Sequence, residues 1–310
     1  WSPEVGAFGA ALAGEAGLPS VFLGHLTLAG SGAYADAPLG GVDVDQLPVI
    51  IYSHGWTGFR TIAATSVERL AANGFIVIAP DHTYGSMGTL FPDGSVHLND
   101  PRAMPDDGDP GRQAGIEQLV DSYAGDLKHL LDLLPKFHSG EIPSPLEGRI
   151  DLDRIGVFGH STGGAAVVEV AKSDPRVKAV VGLDIWGEPI SPELRAKPRP
   201  IPAASIRSQD WHDNRVKDRD VLYQVLDSFA APTHDLYLAG SQHGDFTMLP
   251  LFSPVARLLV PHHRGTVSPA DALDSVDGYL VDFFRANMDA GASPVLPNSL
   301  HPALRPATRP

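Results

Sequence analysis

The stretch Ile155-Gly-Val-Phe-Gly-His-Ser-Thr-Gly-Gly164 decides the fold class of this chain. It begins as a short apolar run, typical of a strand buried on both faces, and continues into a helical pattern over residues 163–172. Ser161 therefore stands at a strand-to-helix turn, with Gly159 two residues before it and Gly163 two residues after it. Such a turn leaves no room for side chains at the two glycine positions and exposes the serine hydroxyl at the edge of a sheet. The pattern predicts a nucleophilic serine; the alternative is a glycine-rich turn without a chemical role.

Strand and helix signatures alternate on both sides of this stretch. Continuous apolar runs predict further strands over residues 47–52, 75–79, 179–183, 203–207 and 235–239. Helical patterns predict helices over residues 61–73, 112–137, 219–229 and 269–287. This alternation is typical of an α/β fold, so we expect a mostly parallel central sheet with helices on both faces. No linker-like stretch divides residues 1–290, which we interpret as a single domain.

Two segments interrupt that order. Residues 85–111 are rich in Gly, Pro and Asp and carry no pattern of a regular element. They follow a predicted strand whose carboxyl end should border the site, so we interpret them as an insertion loop near the site. The alternative is a solvated surface insertion. Residues 291–310 are rich in proline and lack periodicity, which predicts a C-terminal tail.

The composition argues against several classes of function. Of 310 residues, 37 are Asp or Glu and 23 are Lys or Arg, and the formal net charge of −14 argues against a nucleic-acid partner. The absence of cysteine removes disulfides, thiolate metal sites and cysteine nucleophiles together. No apolar run reaches the roughly 18 residues of a membrane span. Because the chain starts at Trp1 rather than Met, a secreted or cell-envelope location after removal of an N-terminal segment is compatible with the sequence.

A serine hydroxyl is a weak nucleophile, so the site needs a base, and the base needs a carboxylate that fixes its tautomer. Where the nucleophile stands at this kind of turn, the chain order is serine, acid, histidine. The candidates that satisfy this order are His212, His234, His243, His262, His263 and His301. His243 lies in a short loop after the last predicted core strand, where the base of this architecture is found, so we predict that it is the base.

Two carboxylates compete for the role of the acid. Asp184 comes directly after the apolar run 179–183, so its carboxylate should be buried and in need of a hydrogen-bonding partner. Asp210 follows the predicted strand 203–207, where many proteins of this architecture carry their acid, but its neighbours are polar and acidic. We favour Asp184 and keep Asp210 as the alternative.

The oxyanion that forms during attack needs two N–H donors. One is expected from Thr162, which follows the nucleophile, and the other from a turn after the first core strand. The segment Ser53-His-Gly-Trp56 is such a turn, because Gly55 lets the chain bend so that the Trp56 N–H faces Ser161. The alternative for this segment is an ordinary glycine-containing strand exit.

Taken together, these residues resemble the platelet-activating-factor acetylhydrolase family of α/β-hydrolases, of the lipoprotein-associated phospholipase type, over residues 47–288. The matching segments are Ser53-His-Gly with Phe59-Arg60, Ala72-Asn-Gly-Phe-Ile-Val-Ile78, residues 153–164, Gly182-Leu-Asp-Ile-Trp186 and Gly240-Ser-Gln-His-Gly-Asp-Phe246. The resemblance implies an α/β-hydrolase fold with Ser161 as nucleophile, Asp184 as acid and His243 as base. It also implies that Trp56 and Thr162 supply the oxyanion donors.

The chain departs from the animal members of that family in lacking cysteines and recognisable apolar docking helices, and in having Thr162 where a Phe commonly stands. Its segment 85–111 has no counterpart there. We expect a serine carboxylic-ester hydrolase, or lipase-type enzyme, that acts through an acyl-enzyme on a small-molecule or lipid ester, with short-acyl esters or short-acyl phospholipids as substrates. No metal or organic cofactor is expected, and membrane contact is compatible with the sequence. The alternatives are a polyester hydrolase or peptidase with the same triad, and a non-catalytic binding module.

Overall fold

A computed structural model describes residue 30 and residues 32–39, 45–229, 232–252, 265–288 and 301–309. Within these ranges the strands form a seven-stranded sheet and a separate two-stranded hairpin. The strands are β1 Leu47–Ser53, β2 Ile76–Ile78, β3 Gly88–Leu90, β4 Val96–Leu98, β5 Ile150–His160, β6 Val177–Leu183, β7 Ala203–Ser208, β8 Thr233–Leu238 and β9 Leu304–Pro306. The large sheet has the order β2-β1-β5-β6-β7-β8-β9, and every neighbouring pair is parallel except β8 and β9. The mostly parallel sheet of an α/β-hydrolase is therefore confirmed.

Helices connect these strands. The described α-helices are α1 Ala64–Ala72, α2 Arg112–Ser139, α3 Thr162–Ser173, α4 Pro192–Ala196, α5 Gln209–Asn214, α6 Val216–Asp227, α7 Leu249–Phe252 and α8 Pro269–Met288. Two short 3-10 helices, Pro101–Ala103 and His243–Phe246, lie in the loops. Of the helices in the described ranges, none combines the length and the apolar character needed to cross a membrane.

The sheet is buried on both faces because successive side chains of its strands enter two apolar cores. In β1, Val49 and Ile51 pack in the core that also holds residues of α2 and α3. Ile50 and Tyr52, the residues in between, pack in the core that holds residues of α1 and α8. A strand covered on both faces needs apolar residues at every position, which explains the continuous runs in the sequence. The carboxyl ends of the parallel strands meet at one edge of this sheet.

The segment 85–111 differs from the expectation. We expected no regular element there, and this is wrong, because β3 and β4 pair as an antiparallel hairpin and a 3-10 helix follows them. The turn between the strands is closed by a hydrogen bond from the Phe91 N–H to the Ser95 carbonyl oxygen (2.9 Å). Gly94 has a φ of +84°, which glycine adopts without strain, so an Asp-Gly pair makes the reversal possible in a polar segment.

The predicted C-terminal tail is also corrected. Residues 304–306 form β9, which pairs antiparallel with β8 and places Leu304 opposite Leu238. Leu304 is buried in the core beneath α8. Proline is tolerated on an edge strand because the edge needs no donor on its outer side, and this is why a proline-rich segment can close the sheet. Residues 1–29, 253–264 and 289–300 of the predicted domain and tail lie outside the described residues.

Candidate active site

Ser161 occupies the sharp turn between β5 and α3. Its backbone has a φ of 58° and a ψ of −117°, a conformation that a residue with a side chain adopts only when its surroundings enforce it. The Ser161 N–H donates to the Leu183 carbonyl oxygen (2.9 Å), and the Ser161 carbonyl oxygen accepts from the Trp186 N–H (3.2 Å). Both bonds reach the end of β6, so the neighbouring strand holds the turn in its strained form.

The two glycines of the turn have no room for a side chain. A Cβ atom at Gly159 would overlap the carbonyl oxygen of Gly163, and one at Gly163 would overlap the carbonyl oxygen of Ser53. The backbone of the turn thus packs directly on itself and on the end of β1. The steric reason for which the sequence analysis required glycine at both positions is present in the structure.

Asp184 and His243 form a hydrogen-bonded pair next to this turn. The Asp184 side chain is fully buried, and its Oδ2 lies 2.9 Å from Nδ1 of His243. Its other oxygen, Oδ1, accepts from the Ser208 N–H (2.7 Å). Burial raises the pKa of Asp184 to about 7, against the opposing effects of nearby His160 and of the Ser208 hydrogen bond. When Asp184 is ionised, Nδ1 of His243 carries the proton and Nε2 is the basic nitrogen.

The competing carboxylate, Asp210, lies elsewhere. It is in α5, where its Oδ1 accepts from the side-chain amide of Asn214 one helical turn further on (2.8 Å). The structure therefore brings Asp184, and not Asp210, to His243. Within the described residues the Ser161 hydroxyl forms no hydrogen bond, and contacts of this kind often close only in a substrate complex.

The turn after β1 lies against Ser161. A Cβ atom at Gly55 would come within 3.0 Å of the Ser161 Cβ, so only glycine allows this approach. The Thr57 N–H donates to the Gly85 carbonyl oxygen (2.8 Å), whereas the Trp56 N–H donates to no backbone carbonyl in the described part of the chain. The second expected donor, the Thr162 N–H, is at the first position of α3, where backbone N–H groups have no partner within the helix. Both expected donors thus belong to segments that border Ser161.

Sequence reasoning missed Trp211, which lies on the ring of His243. The two rings are stacked, with centroids 4.6 Å apart and an interplanar angle of 6°. The backbone N–H of Trp211 donates to the side-chain oxygen of Ser208, which caps α5 (3.2 Å). The Arg215 guanidinium lies over the same indole, with Cζ 4.8 Å from the ring centroid. No spacing rule indicates this stack, because α5 is too short to show periodicity.

A second chain of polar side chains supports the turn after β1. Nε2 of His82 lies 2.9 Å from the Ser53 hydroxyl, and Nδ1 lies 2.8 Å from Oδ2 of Asp126 in α2. Since the Asp126 carboxylate can only accept, Nδ1 donates to it and Nε2 accepts from Ser53. Ser53 is completely buried, so this Ser-His-Asp array has no access to a substrate.

The backbone of His82 extends this array to the oxyanion turn. The His82 N–H donates to Nε2 of His54 (3.1 Å), so Nδ1 of His54 carries the proton and donates to the Gly55 carbonyl oxygen (2.7 Å). Burial lowers the pKa of His54 well below its usual value, and repulsion by His82 adds to this, so His54 is neutral. His54 and His82 precede Ser161 in the chain, so the expected order of serine, acid and histidine excludes them as the base. Chain order carries no information about a supporting role of this kind.

His160 completes the surroundings of His243. Its Nε2 lies 3.1 Å from the His243 carbonyl oxygen, and the two rings have centroids 4.4 Å apart. Ligand-type atoms of His160, Asp184 and His243 lie within 4.8 Å of one another. Because the Asp184–His243 bond and the bond from His160 already account for this proximity, we do not identify the three as metal ligands.

Three other histidines that follow Ser161 in the chain are hydrogen-bonded to other side chains. His212 bonds Asp213, His234 bonds the Tyr279 hydroxyl, and His301 bonds Asp282. His262 and His263 lie outside the described residues.

A cavity of about 650 Å³ separates the insertion from α2. It is lined by Tyr84, Arg102 and Pro105 on one side and by Tyr123 and Asp126 of α2 on the other. The start of the insertion is joined to the oxyanion turn, since the Met87 N–H donates to the Gly58 carbonyl oxygen (2.9 Å). The insertion therefore borders the candidate site at its first residues.

Comparisons with known proteins find one family model and several related hydrolases that are similar to this chain. The family model described as platelet-activating factor acetylhydrolase, isoform II, matches residues 19–95 and 135–295. Platelet-activating factor acetylhydrolase of Bos taurus is 28% identical over 182 residues, which are 51% of this chain and 39% of the bovine protein. Bis(hydroxyethyl) terephthalate hydrolase of Streptomyces coelicolor is 31% identical over 137 residues, 44% of this chain and 32% of that protein. The matched stretches thus span about two fifths or less of these relatives.

Among solved structures, the ferulic acid esterase from Streptomyces cinnamoneus superimposes with a TM-score of 0.76 at 26% sequence identity. The superposition covers 98% of this chain and 83% of that esterase. Similarity in fold therefore extends over almost the whole chain.

Proposed function

The chain belongs to the platelet-activating factor acetylhydrolase isoform II family, and from that premise we propose that it is a serine carboxylic-ester hydrolase acting through an acyl-enzyme. The observation that carries the proposal is the hydrogen bond between buried Asp184 and His243 beside a serine held in a strained turn. In this proposal Ser161 is the nucleophile, His243 the base and Asp184 the acid.

The first half-reaction forms the acyl-enzyme. The Ser161 Oγ attacks the ester carbonyl carbon while Nε2 of His243 accepts the hydroxyl proton, and the carbonyl oxygen becomes an oxyanion. The N–H groups of Trp56 and Thr162 would donate to this oxyanion, which is stabilised further by the amino end of α3. Collapse of the tetrahedral intermediate breaks the bond to the alcohol oxygen, and that oxygen takes the proton from the imidazolium. Water then attacks the acyl group with His243 again as base, which releases the acid and restores Ser161.

Asp184 would act by orienting the imidazole and stabilising its charge. Its carboxylate is held from two sides, by Ser208 and by His243. Such a bond keeps the proton on Nδ1 and leaves Nε2 to face the nucleophile. A buried carboxylate next to an imidazole stabilises the imidazolium that forms during attack more strongly than a solvated one would.

We propose short-acyl esters or short-acyl phospholipids as substrates. Family membership supports this class, and the structural similarity to a ferulic acid esterase supports ester chemistry more generally. A second candidate is polyester hydrolysis, which is favoured by the relative named bis(hydroxyethyl) terephthalate hydrolase. Peptide hydrolysis needs the same groups, but no observation favours it.

A substrate panel tests this proposal. Wild-type protein and Ser161→Ala are assayed on p-nitrophenyl esters of increasing acyl length, a short-acyl phosphatidylcholine, bis(hydroxyethyl) terephthalate and a peptide. We expect hydrolysis of the short-acyl esters by wild type and loss of activity by several orders of magnitude in Ser161→Ala. A preference for the terephthalate ester would favour the second candidate. Absence of all ester hydrolysis, or equal rates for Ser161→Ala, would overturn the proposal.

A further inference from the structure

The stack on His243 lies outside the usual set of nucleophile, base, acid and oxyanion donors. We propose that Trp211 is a positioning residue whose indole face stabilises the positive charge that His243 gains on accepting the Ser161 proton, and that Arg215 limits this stabilisation. The inference rests on the proposed role of His243 as base. It assigns a function to a side chain that touches the base without taking part in proton transfer.

The geometry suits an interaction between a cation and an aromatic ring. The imidazole and indole planes are nearly parallel at an angle of 6°, and their centroids are 4.6 Å apart. A cation within about 6 Å of an indole centroid is attracted by the negative face of the ring. Trp211 is only 6% exposed and the His243 side chain 24%, so little water separates or screens the two rings. Neutral imidazole gains much less from the same contact than imidazolium.

One residue fixes both neighbours of the imidazole. The Ser208 N–H donates to Oδ1 of Asp184, and the Ser208 hydroxyl oxygen accepts from the backbone N–H of Trp211. Ser208, at the end of β7, therefore bonds the carboxylate at Nδ1 directly and fixes the start of α5, the helix that carries Trp211. His243 thus meets a preformed site for its charged form, with a carboxylate at its edge and an aromatic face beneath it.

Arg215 opposes this effect. Its Cζ lies 4.8 Å from the centroid of the same indole, and it is a permanent cation on a half-exposed side chain. Oδ2 of Asp218 lies 3.6 Å from its Nη1. A ring that already attracts one cation attracts a second one less, and the two cations also repel each other. We therefore expect Arg215 to lower the basicity of His243.

In the described part of the chain, other charged groups near His243 act from different directions. Asp184 faces Nδ1 from the end of β6, and His160 faces the ring from the end of β5. Arg207 acts on Asp184 from β7, and Asp245 belongs to the same short 3-10 helix as His243. None of these groups changes when Trp211 is replaced by Phe or Leu, so a difference between those variants reports on the stack.

The direction in which the pKa of His243 changes distinguishes two roles of Trp211, which are stabilisation of the imidazolium charge and exclusion of water. If Trp211 only covered His243, its replacement by Leu would admit water, favour the imidazolium and raise the pKa of His243. If the indole face stabilises the imidazolium, the same replacement lowers that pKa. Trp211→Phe keeps a weaker aromatic face at the same place and should lie between wild type and Trp211→Leu.

The test is an NMR titration of His243 in the substrate-free protein, with the signal assigned by its loss in His243→Gln. We expect the pKa of His243 to be lower by about half a unit to one unit in Trp211→Leu. In Arg215→Gln it should be higher by a few tenths of a unit, and the matched control His212→Gln, which replaces the residue next to Trp211, should leave it unchanged. An unchanged or raised value in folded Trp211→Leu would overturn the inference, as would a lowered value in Arg215→Gln.

Kinetics provide the second readout. The acidic limb of kcat/KM against pH should move in the same directions as the NMR values, and kcat should fall about three- to tenfold in Trp211→Leu with partial rescue in Trp211→Phe. The titration needs no turnover, so failure of the proposed function would appear as full activity in Ser161→Ala, separate from any outcome for the stack. A fall in activity with an unmoved pH profile and an unmoved NMR titration would count against Trp211 as a positioning residue.

Discussion

At the scale of single residues, the choice between the two carboxylates is the sharpest question. The Asp184 carboxylate bonds His243, whereas the Asp210 carboxylate accepts from Asn214 of its own helix. We predict that Asp184→Asn lowers kcat by about 10⁴, because an amide stabilises the wrong imidazole tautomer. Asp210→Asn is the matched control and should change kcat less than about threefold. Steady-state kinetics on both folded variants would contradict the assignment if Asp210→Asn were the crippled one.

The burial of Asp184 also predicts a pH dependence of stability. Its pKa in the folded protein is raised to about 7, above about 3.9 for an unfolded chain. The folded state therefore holds this proton more tightly, and the resulting stability is fully present below about pH 4 and is lost as pH rises toward 7.

Relative to Asp184→Asn, wild-type protein should therefore lose about 2 to 4 kcal/mol of unfolding free energy between pH 4 and pH 8. Urea denaturation of the two proteins at both values measures the difference. If the difference in unfolding free energy between the two proteins is the same at pH 4 and pH 8, ionisation of Asp184 does not destabilise the folded state.

The array of Ser53, His82 and Asp126 behind the oxyanion turn leads to a prediction for Asp126. Asp126 fixes the tautomer of His82, which orients Ser53 and, through its N–H, His54. We predict that Asp126→Asn lowers kcat about tenfold with little change in KM, since oxyanion donors act mainly in the transition state. The control is Asp121→Asn, an exposed carboxylate on the same helix. A change in KM alone would assign Asp126 to substrate binding instead.

The sequence can predict a site residue when a local pattern marks its position, and not when its role depends on residues far away in the chain. The glycines around Ser161 and the apolar run before Asp184 are local patterns, so they predict a position on an element. Trp211 and His82 carry no such pattern, because their roles come from contacts between strands and helices far apart in the chain. Chain order alone sets His82 aside, although it lies next to the oxyanion turn.

At the scale of elements, we expect the hairpin β3–β4 to be removable without loss of the fold. It belongs to an insertion that is joined to the oxyanion turn through Gly85 and Met87. Replacing residues 89–97 by a short Gly-Ser linker keeps those two bonds and removes the paired strands. We predict a change in the ratio of kcat/KM between acetyl and octanoyl esters of about fivefold or more, with an unfolding midpoint near that of wild type. If the ratio is constant and only stability or solubility changes, the hairpin is a surface insertion.

Element boundaries show where local patterns stop being informative. Buried strands such as β6 are continuous apolar runs, so their positions are predictable to within about two residues. β5 begins at Ile150, five residues before its apolar run, because Ile150 and Asp151 pair with the start of β1, and the register shifts before pairing resumes at Ile155. The hairpin in the insertion is likewise held by its turn and pairing rather than by apolar periodicity.

At the scale of the whole molecule, the sheet is closed at one side by a strand from the C-terminus. Leu304 is buried against the core, while its neighbour Arg305 is exposed. We predict that Leu304→Ala lowers the unfolding free energy by about 2 to 4 kcal/mol, and that Arg305→Ala changes it by less than about 0.5 kcal/mol. Urea denaturation gives both values. Equal small effects would mean that β9 is dispensable and that the C-terminal segment behaves as a tail.

An activated Ser161 hydroxyl should react with electrophiles designed for serine hydrolases, so covalent labelling identifies the nucleophile. Protein treated with a fluorophosphonate is measured by intact mass and by peptide mapping, alongside Ser161→Ala and His243→Gln. We expect one adduct per chain, located on Ser161, no adduct in Ser161→Ala and labelling slowed by at least about a hundredfold in His243→Gln. An adduct on another residue, or ester hydrolysis that persists at the wild-type rate in Ser161→Ala, would contradict it.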